Sequence, residues 1–351
     1  MGQAVDSFTT KTNLILTWVG MKKITILALC DAAATTITGP LDVFGFAGVL
    51  YNNACGKAVS PYFEVEIVTP DGLPARCLNG VQIVPHCSMG EVEQSDLIVV
   101  SAIADIEKTL AEQGDVVPWL KKMYAQGSQL ASVCSGSFVL AETGLLDGKE
   151  ATTHWGMAKI FRARYPQVRL KPERLVTDAG DIYCSGAFNS CIDLSIYLVE
   201  KFHGHEVAVE CAKALVHDIG RIDQTPYTPF LFQRGHNDTE ILEIQRDMES
   251  RFCDEFDAMR LAQHFGIGRR TFERRFKTAT GDTPLVYLQR VRVEQAKKIL
   301  ETENKTFDEI CYAVGYENSS FFRKIFMKHT GLRPTEYRKK FCRLVKLTGM
   351  T

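Results

Sequence analysis

The sequence lacks the features of membrane, secreted and zinc-ribbon proteins. The apolar run near its start, residues 13–20, is far shorter than the roughly 20 residues of a membrane-spanning helix, and it does not have the layout of a signal peptide. The eleven cysteines are odd in number and scattered, and they include no Cys-x-x-Cys pair, which argues against a disulfide framework and a zinc ribbon. We therefore expect a cytoplasmic protein with reduced thiols and with no membrane partner, no metal and no cofactor.

The charge is close to neutral overall but uneven along the chain. The net charge is −1, with 45% apolar and 24% charged residues, as in ordinary globular proteins. Residues 251–351 carry 21 Lys and Arg against 12 Asp and Glu, whereas residues 1–250 carry 20 against 30. Because 351 residues exceed what one core normally serves, the sequence predicts two domains, an acidic one followed by a basic one.

A six-residue pattern near the end of the chain occurs twice, 50 positions apart. Its members are Phe272, Phe276, Thr280, Gly281, Pro284 and Tyr287 in the first copy, and Phe322, Phe326, Thr330, Gly331, Pro334 and Tyr337 in the second. Two Phe residues four apart anchor one face of a helix, Thr-Gly ends that helix, and Pro begins the next. Short amphipathic runs closed by glycine precede both copies, at 259–266 and 307–315. Each copy therefore predicts a helix-turn-helix.

A helix over residues 284–300 is expected to join the two copies. Its candidate buried or partly buried positions are Leu285, Leu288, Val291, Val293, Ala296 and Ile299.

The second helix of each copy carries basic and hydrogen-bonding side chains, which is what phosphate neutralisation and base contacts require. The predicted DNA-binding residues are Arg269, Arg270, Thr271, Glu273 and Arg274 in the first copy, and Asn318, Ser319, Ser320, Arg323 and Lys324 in the second. Arg275, Lys277 and Lys328 are also expected to face outwards. The alternative is that these charges only solvate a helical bundle, but the tandem copy and the uneven charge disfavour it.

The last hundred or so residues resemble the C-terminal DNA-binding domain of AraC-type transcription regulators. The resemblance implies two helix-turn-helix units on one domain, with recognition helices that enter successive major grooves about 34 Å apart. It also implies promoter or operator DNA as a partner, with RNA polymerase as a further one. We expect the arginine-rich first helix to depend more on charge, and the second helix, with its Asn and Ser, to depend more on base contacts.

The first two hundred residues alternate apolar strands with helices. Strands are predicted at 24–29, 63–69 and 96–100, with a short one at 81–84. Helices are predicted at 39–47, 116–125, from 138 onwards, 192–199 and 207–215, and the first of them is expected to begin near Pro40. Either of the last two helices could supply a dimer surface. This order predicts a parallel α/β sheet covered on both sides.

Residues 132–138 have the features of a nucleophile turn. Cys134 lies between a predicted strand and a predicted helix and has small neighbours, and His154 follows downstream. Together with residues 39–44 and 184–187, this segment resembles the PfpI-like, class I glutamine amidotransferase-like domain that is found fused to AraC-type domains. That resemblance implies a flavodoxin-like parallel sheet over about 200 residues.

Three departures from that family weaken a catalytic interpretation. Thr36 stands where related sequences have a carboxylate, Ser101-Ala102-Ile103 replaces the Gly-Gly of an oxyanion hole, and Ser135 rather than histidine follows the cysteine. No residue is therefore assigned as catalytic, and Cys134 and His154 are vestigial candidates. Three alternatives stay open for Cys134: a turn kept for its geometry, a ligand-pocket position, and a working catalytic or redox thiol.

Ligands of such sheets bind beyond the carboxyl ends of the strands, where this turn lies. The candidate ligand-binding residues are Thr36, Ala102, Ile103, Cys134, Ser135, His154, Trp155 and Ser185.

The predicted organisation is an extension at 1–20, a sensor domain at 21–222, a linker at 223–237 and a DNA-binding domain at 238–351. The predicted function is a homodimeric transcription regulator, expected to be an activator, in which a small-molecule effector bound to a non-catalytic sensor changes promoter binding. The competing interpretation is a cysteine-dependent amidohydrolase or deglycase, or a thiol redox sensor, fused to a DNA-binding domain.

Overall fold

The computed structural model describes residues 21–342, which divide into two compact units between Ile222 and Asp223. The predicted extension at 1–20 lies outside the described residues. None of the helices within 21–342 is long and apolar enough to cross a bilayer.

The first unit is an α/β domain. Its strands are β1 (Lys22–Leu27), β2 (Phe63–Thr69), β3 (Ala75–Arg76), β4 (Gln82–Ile83), β5 (Cys87–Ser88), β6 (Leu97–Val100), β7 (Gln129–Val133), β8 (Glu150–Ala151), β9 (Arg169–Leu170), β10 (Val176–Asp178) and β11 (Ile182–Ser185). Its helices are α1 (Thr35–Phe46), α2 (Leu50–Ala54), α3 (Ile106–Glu112), α4 (Val116–Ala125), α5 (Gly136–Glu142), α6 (Ala158–Arg164), α7 (Ser190–His203) and α8 (His205–Ala214).

Within the described residues, seven strands form the main sheet in the order β10-β11-β7-β6-β1-β2-β5. All neighbours are parallel except the antiparallel pair β10–β11 at one edge. All four residues of β6 are buried, as expected for an apolar strand covered on both faces. The predicted parallel sheet is therefore confirmed.

Helices cover both faces of this sheet. Helices α1, α7 and α8 bury apolar residues such as Phe44 and Leu194 on one face. Helices α4, α5 and α6 bury residues such as Leu120, Phe138 and Phe161 on the other. This is the layered arrangement that alternating strands and helices predict.

Several predicted boundaries in the first unit were wrong, including that of α7, which spans Ser190–His203 rather than 192–199. The first strand is Lys22–Leu27 rather than 24–29. The short strand at 81–84 contracts to β4, which pairs with β3 outside the main sheet. Helix α1 begins at Thr35, before Pro40, because the N–H groups of Thr36 and Ile37 already form turns with Ala33 and Ala34. Pro40 then lies inside the helix, where its missing N–H removes one helical hydrogen bond.

The second unit is helical. Its helices are α9 (Thr239–Ser250), α10 (Ala258–His264), α11 (Arg269–Thr280), α12 (Pro284–Thr302), α13 (Phe307–Ala313), α14 (Ser319–Thr330) and α15 (Pro334–Phe341). Helices α10 and α11 form the first predicted helix-turn-helix, and α13 and α14 form the second. Asp238 caps α9 by accepting a hydrogen bond from the Ile241 N–H. As predicted, Pro284 and Pro334 each begin a helix.

The repeated pattern builds two equivalent cores. The first contains Phe272, Phe276 and Tyr287, and the second contains Phe322, Phe326 and Tyr337, all of them buried. Successive rings meet edge to face, with centroids 5.6 and 5.2 Å apart in the first core and 6.4 and 5.5 Å apart in the second. Edge-to-face contacts favour one arrangement of the rings, so each core fixes its own helix-turn-helix.

The corner after each second helix is also repeated. The hydroxyl of Thr280 donates to the carbonyl of Phe276, and the hydroxyl of Thr330 donates to that of Phe326, both at 2.8 Å. Gly281 then takes a left-handed conformation with φ of 81°, and its counterpart 50 residues later has φ of 72°. A side chain would be strained there, so glycine ends both helices at the same angle.

Helix α12 contributes to both cores. Leu288 and Val291 pack in the first, and Val293 and Ala296 pack in the second. The prediction that Leu285 is buried was wrong, since this side chain is 52% exposed. Arg292 and Ala296, which lie on the same side of α12 about two and three turns further along, are buried, so the exposure of Leu285 reflects its position in the first turn of the helix.

Residues 223–237, for which the sequence predicts a linker, pack on the helical unit. Phe230 is buried, its ring lies 5.2 Å from that of Tyr287, and its N–H donates to Glu294 at 3.2 Å. The side chain of Gln233 donates to Asp282 at 3.0 Å.

Candidate functional sites

The turn after β7 presents Cys134 in a left-handed conformation with φ of 54°. The next helix, α5, begins at Gly136, where a Cβ atom would lie 2.6 Å from the carbonyl oxygen of Ser101 and 2.8 Å from that of Val100. Glycine is required there because α5 starts against the end of β6. The turn therefore has the sharp strand-to-helix geometry predicted for it.

Six of the eight predicted ligand-binding residues are buried at this turn. Thr36, Ala102, Ile103, Cys134, Ser135 and Ser185 are each no more than 3% exposed. The hydroxyl of Thr36 accepts the Ala102 N–H at 3.2 Å, and the hydroxyl of Ser135 accepts the Ile103 N–H at 3.0 Å. The two backbone donors at the position of an oxyanion hole are thus already bonded to side chains.

The sulfur of Cys134 is held in its protonated form. Burial raises the pKa of this thiol to about 11, and hydrogen bonds from Ser135 and from the His154 backbone only partly offset that rise. The thiolate is the nucleophilic form of cysteine. At neutral pH the site therefore contains a neutral thiol rather than an activated nucleophile.

His154 and Trp155 are half-buried beside this turn, with ring centroids 4.9 Å apart. Burial lowers the pKa of His154, so its imidazole is neutral at pH 7. The ring Nδ1 accepts the N–H of Gly156 at 3.2 Å. Its acceptor nitrogen is thus bonded within its own turn.

One polar cluster in the first unit was missed from the sequence. Asp193 accepts a hydrogen bond from the Arg221 Nε at 3.0 Å and lies 3.2 Å from the His217 Nε2. These residues line a cavity of about 310 Å³ that also includes Ile196 and Tyr197. The signal was an aspartate in the first turn of an apolar helix, which needs a partner when buried.

The predicted DNA-binding residues of the first copy lie on one helix. Arg269, Arg270, Thr271 and Arg274 are exposed on α11, and the half-buried Glu273 accepts a hydrogen bond from Arg269 at 2.9 Å.

The expectation that Arg275 faces freely outwards was wrong. This side chain bonds the carboxylate of Asp238 at 2.7 Å and also that of Glu240, because the start of α9 packs beside α11. Arg275 therefore joins two helices of the unit.

In the second copy, the predicted residues have different roles. Ser320 and Lys324 are exposed and Ser319 is half-buried on α14. Asn318 is the N-cap, since its side-chain oxygen accepts the Phe321 N–H at 2.9 Å. Arg323 is exposed but bonded to Asp308 at 3.2 Å.

The sequence analysis did not identify Phe321 as a surface residue of α14. In the structure its side chain is 52% exposed. The register of the repeat could have identified it, since Phe322 occupies the anchor position and the preceding residue must face elsewhere.

Family models match both halves of the chain. The model of the DJ-1/PfpI family matches residues 22–201, more than half of the sequence. The chain belongs to the DJ-1/PfpI family. A model described as a helix-turn-helix domain matches residues 261–340. The predicted combination of a PfpI-like domain with an AraC-type helix-turn-helix domain is confirmed.

Individual relatives share one or both parts of this DJ-1/PfpI protein. It is 28% identical to the HTH-type transcriptional regulator CdhR of Pseudomonas aeruginosa, over 79% of this chain and 82% of that one. It is 29% identical to an isonitrile hydratase of Pseudomonas putida, over 54% of this chain and 78% of that one. A crystal structure from Vibrio parahaemolyticus, described as a candidate transcriptional regulator, matches 56% of this chain and 99% of that one, with a TM-score of 0.50 and 20% identity, which supports the fold.

Proposed function

We propose that this protein is a cytoplasmic, homodimeric transcription regulator that binds promoter DNA through α11 and α14. The observation that carries the proposal is the pair of equivalent helix-turn-helix units, each presenting cationic side chains on its second helix. The similarity to a transcriptional regulator over both units supports it. At a promoter, such a protein acts on RNA polymerase, and we expect it to activate.

Arg270, Arg274 and Lys324 are the side chains proposed to contact phosphates or base edges directly. All three are exposed, and none forms an ion pair within residues 21–342. Arginine can donate two hydrogen bonds to a guanine edge in the major groove, and lysine neutralises phosphates. Arg269 and Arg323 must first leave Glu273 and Asp308, so we assign them a weaker contribution.

The DJ-1/PfpI unit is proposed to bind a small metabolite without transforming it. The proposed site lies at the carboxyl ends of β6 and β7, against the half-exposed rings of His154 and Trp155. At this turn the buried N–H groups of Ala102 and Ile103 are bonded to the hydroxyls of Thr36 and Ser135, which supports binding rather than acyl-transfer chemistry. An effector can change promoter binding only by the difference in its affinity for the two states of the protein.

The DNA proposal is tested by titrating the full-length protein against the DNA upstream of its own gene at several salt concentrations. Arg274→Ala should weaken binding and reduce the slope of log affinity against log salt by about 1, as expected when a phosphate contact is lost. Arg275→Ala removes a neighbouring arginine that is held by Asp238 and Glu240, and it should leave the slope unchanged. A DNA affinity that does not change with salt concentration, or equal salt slopes for Arg274→Ala and Arg275→Ala, would reject the proposal.

A second candidate function is an enzyme that uses Cys134, and the similarity to an isonitrile hydratase favours it. Turnover of an isonitrile, amide or glyoxal substrate by the wild type but not by Cys134→Ala would establish it. The buried thiol and the engaged Ala102 and Ile103 donors argue against that outcome.

A further inference from the structure

Phe321 is a large apolar side chain in a position that the core does not use. It is 52% exposed, whereas the next residue, Phe322, is fully buried. On α14 it lies three and seven residues before Lys324 and Lys328, so the three side chains share one exposed stripe of the helix. This stripe belongs to the helix proposed to enter DNA.

The ring of Phe321 is supported from its inner side. Its centroid lies 6.2 Å from that of Tyr316, and Tyr316 in turn stacks on Phe322 at 4.6 Å. The backbone below the ring is fixed as well, since the Phe321 N–H donates to the capping oxygen of Asn318 at 2.9 Å. The ring is therefore held in place before any partner binds, which lowers the entropy that binding costs.

The internal repeat shows that the fold does not require phenylalanine here. The position 50 residues earlier is Thr271, on an equivalent helix with the same anchors and the same terminal corner. A half-exposed Phe ring gains little of the stability that full burial would provide. The difference between the two copies therefore concerns what each helix contacts.

We propose that Phe321 recognises the C5-methyl group of a thymine in the major groove. The proposal rests on the DNA-binding function inferred above, and it names a specificity determinant of α14. The thymine methyl is the apolar group that base pairs present in the major groove, and aromatic side chains can contact it. Lys324 and Lys328, on the same stripe, would hold the adjacent phosphates and bring the ring to the base edge.

The proposal is tested with the full-length protein and duplexes selected from a random pool by the wild type. Each thymine of the selected site is replaced in turn by uracil, which removes the methyl group and keeps every hydrogen-bonding group. At one thymine, the wild type should lose affinity about fourfold, the effect expected from one buried methyl group. Phe321→Ala should bind the original site more weakly and show no further loss at that uracil, whereas Phe321→Leu should keep part of the discrimination.

Tyr312→Ala is the matched control, because Tyr312 is a 66% exposed aromatic of the same unit that lies on α13 rather than α14. This variant should discriminate thymine from uracil as the wild type does.

If wild type and Phe321→Ala select the same sites and respond equally to every uracil, the proposal is wrong while DNA binding stands. If the Phe321→Ala variant binds DNA as the wild type does but no longer regulates transcription, the ring contacts another protein and the proposal is likewise wrong. If the wild type selects no DNA, the proposed function fails and the proposal fails with it.

Discussion

Cys134 combines a left-handed backbone with near-complete burial, and the two have different origins. The backbone conformation follows from the small residues around a strand-to-helix turn, whereas the burial follows from the packing of Cys134 in the hydrophobic core on one face of the sheet. A strained turn by itself therefore does not make a nucleophile. Reactivity also needs a thiolate, which this environment disfavours.

The Cys134 thiol should react slowly with iodoacetamide at pH 7.5. A pKa of about 11 leaves only a small thiolate fraction at that pH, and the sulfur is also buried. Quantitative mass spectrometry of the alkylated peptides should show Cys134 reacting at least about tenfold more slowly than the exposed Cys30 and Cys55 in the same sample. Because the thiolate is the reactive form, the Cys134 rate should keep rising up to about pH 11. Labelling of Cys134 as fast as that of Cys30 at pH 7.5 would instead indicate an activated thiol.

At the scale of elements, helices α11 and α14 differ in how they begin. Gly268 precedes α11 and provides no side-chain hydrogen bond, whereas Asn318 caps α14 through its side-chain oxygen. The sequence interpretation assigned Asn318 to DNA because it is a hydrogen-bonding side chain next to the basic residues of the second helix. In the structure its acceptor is already used within the helix.

Replacing Asn318 should therefore affect stability as well as DNA binding. Asn318→Ala should lower the free energy of unfolding of the helical unit by about 1 kcal/mol, the usual cost of losing an N-cap, while Asn318→Ser should restore most of it. Urea unfolding followed by circular dichroism measures the difference. Both variants lack the carboxamide, so a base-reading role would weaken DNA binding equally in the two, with no recovery in Asn318→Ser.

The helices and main strands were predictable because their signals are local. Phe272 and Phe276, four residues apart, specify the inner face of α11 without reference to the rest of the chain. Strands β8 and β9 have two residues each, too few to show a period. The closed oxyanion position was beyond sequence reasoning for another reason, since the bond between Ala102 and Thr36 joins residues 66 positions apart.

At the scale of the whole molecule, the charge differs in sign between the two units. The acidic residues dominate before residue 250, and the basic ones dominate in the last hundred residues. Because an acidic unit is repelled by DNA phosphates, we expect non-specific DNA binding to depend on the helical unit. The presence of two units was predictable from composition and from the repeat, whereas the Asp193, His217 and Arg221 cluster depended on contacts that no local pattern shows.

The distance between the two reading helices is set by α12, which belongs to both cores and is about 28 Å long. If α11 and α14 read one operator, inserting five base pairs between the two contacted segments should abolish the contribution of one segment. Inserting ten base pairs, a full turn of about 34 Å, should do the same, because a continuous helix cannot lengthen. Fluorescence anisotropy on the three duplexes measures this, and recovery of affinity with the ten-base-pair insertion would show that the two helices engage DNA independently.

The rigid α12 would therefore fix the spacing between the two DNA segments that the protein contacts. A regulator whose DNA-binding helices are joined by a flexible segment can bind operators that differ by whole turns, but if α11 and α14 read one operator, this protein accepts only one spacing between the two contacted segments. Drift in the spacing of its operators would be as harmful as loss of a base contact, so the promoters it controls are expected to vary in sequence before they vary in length.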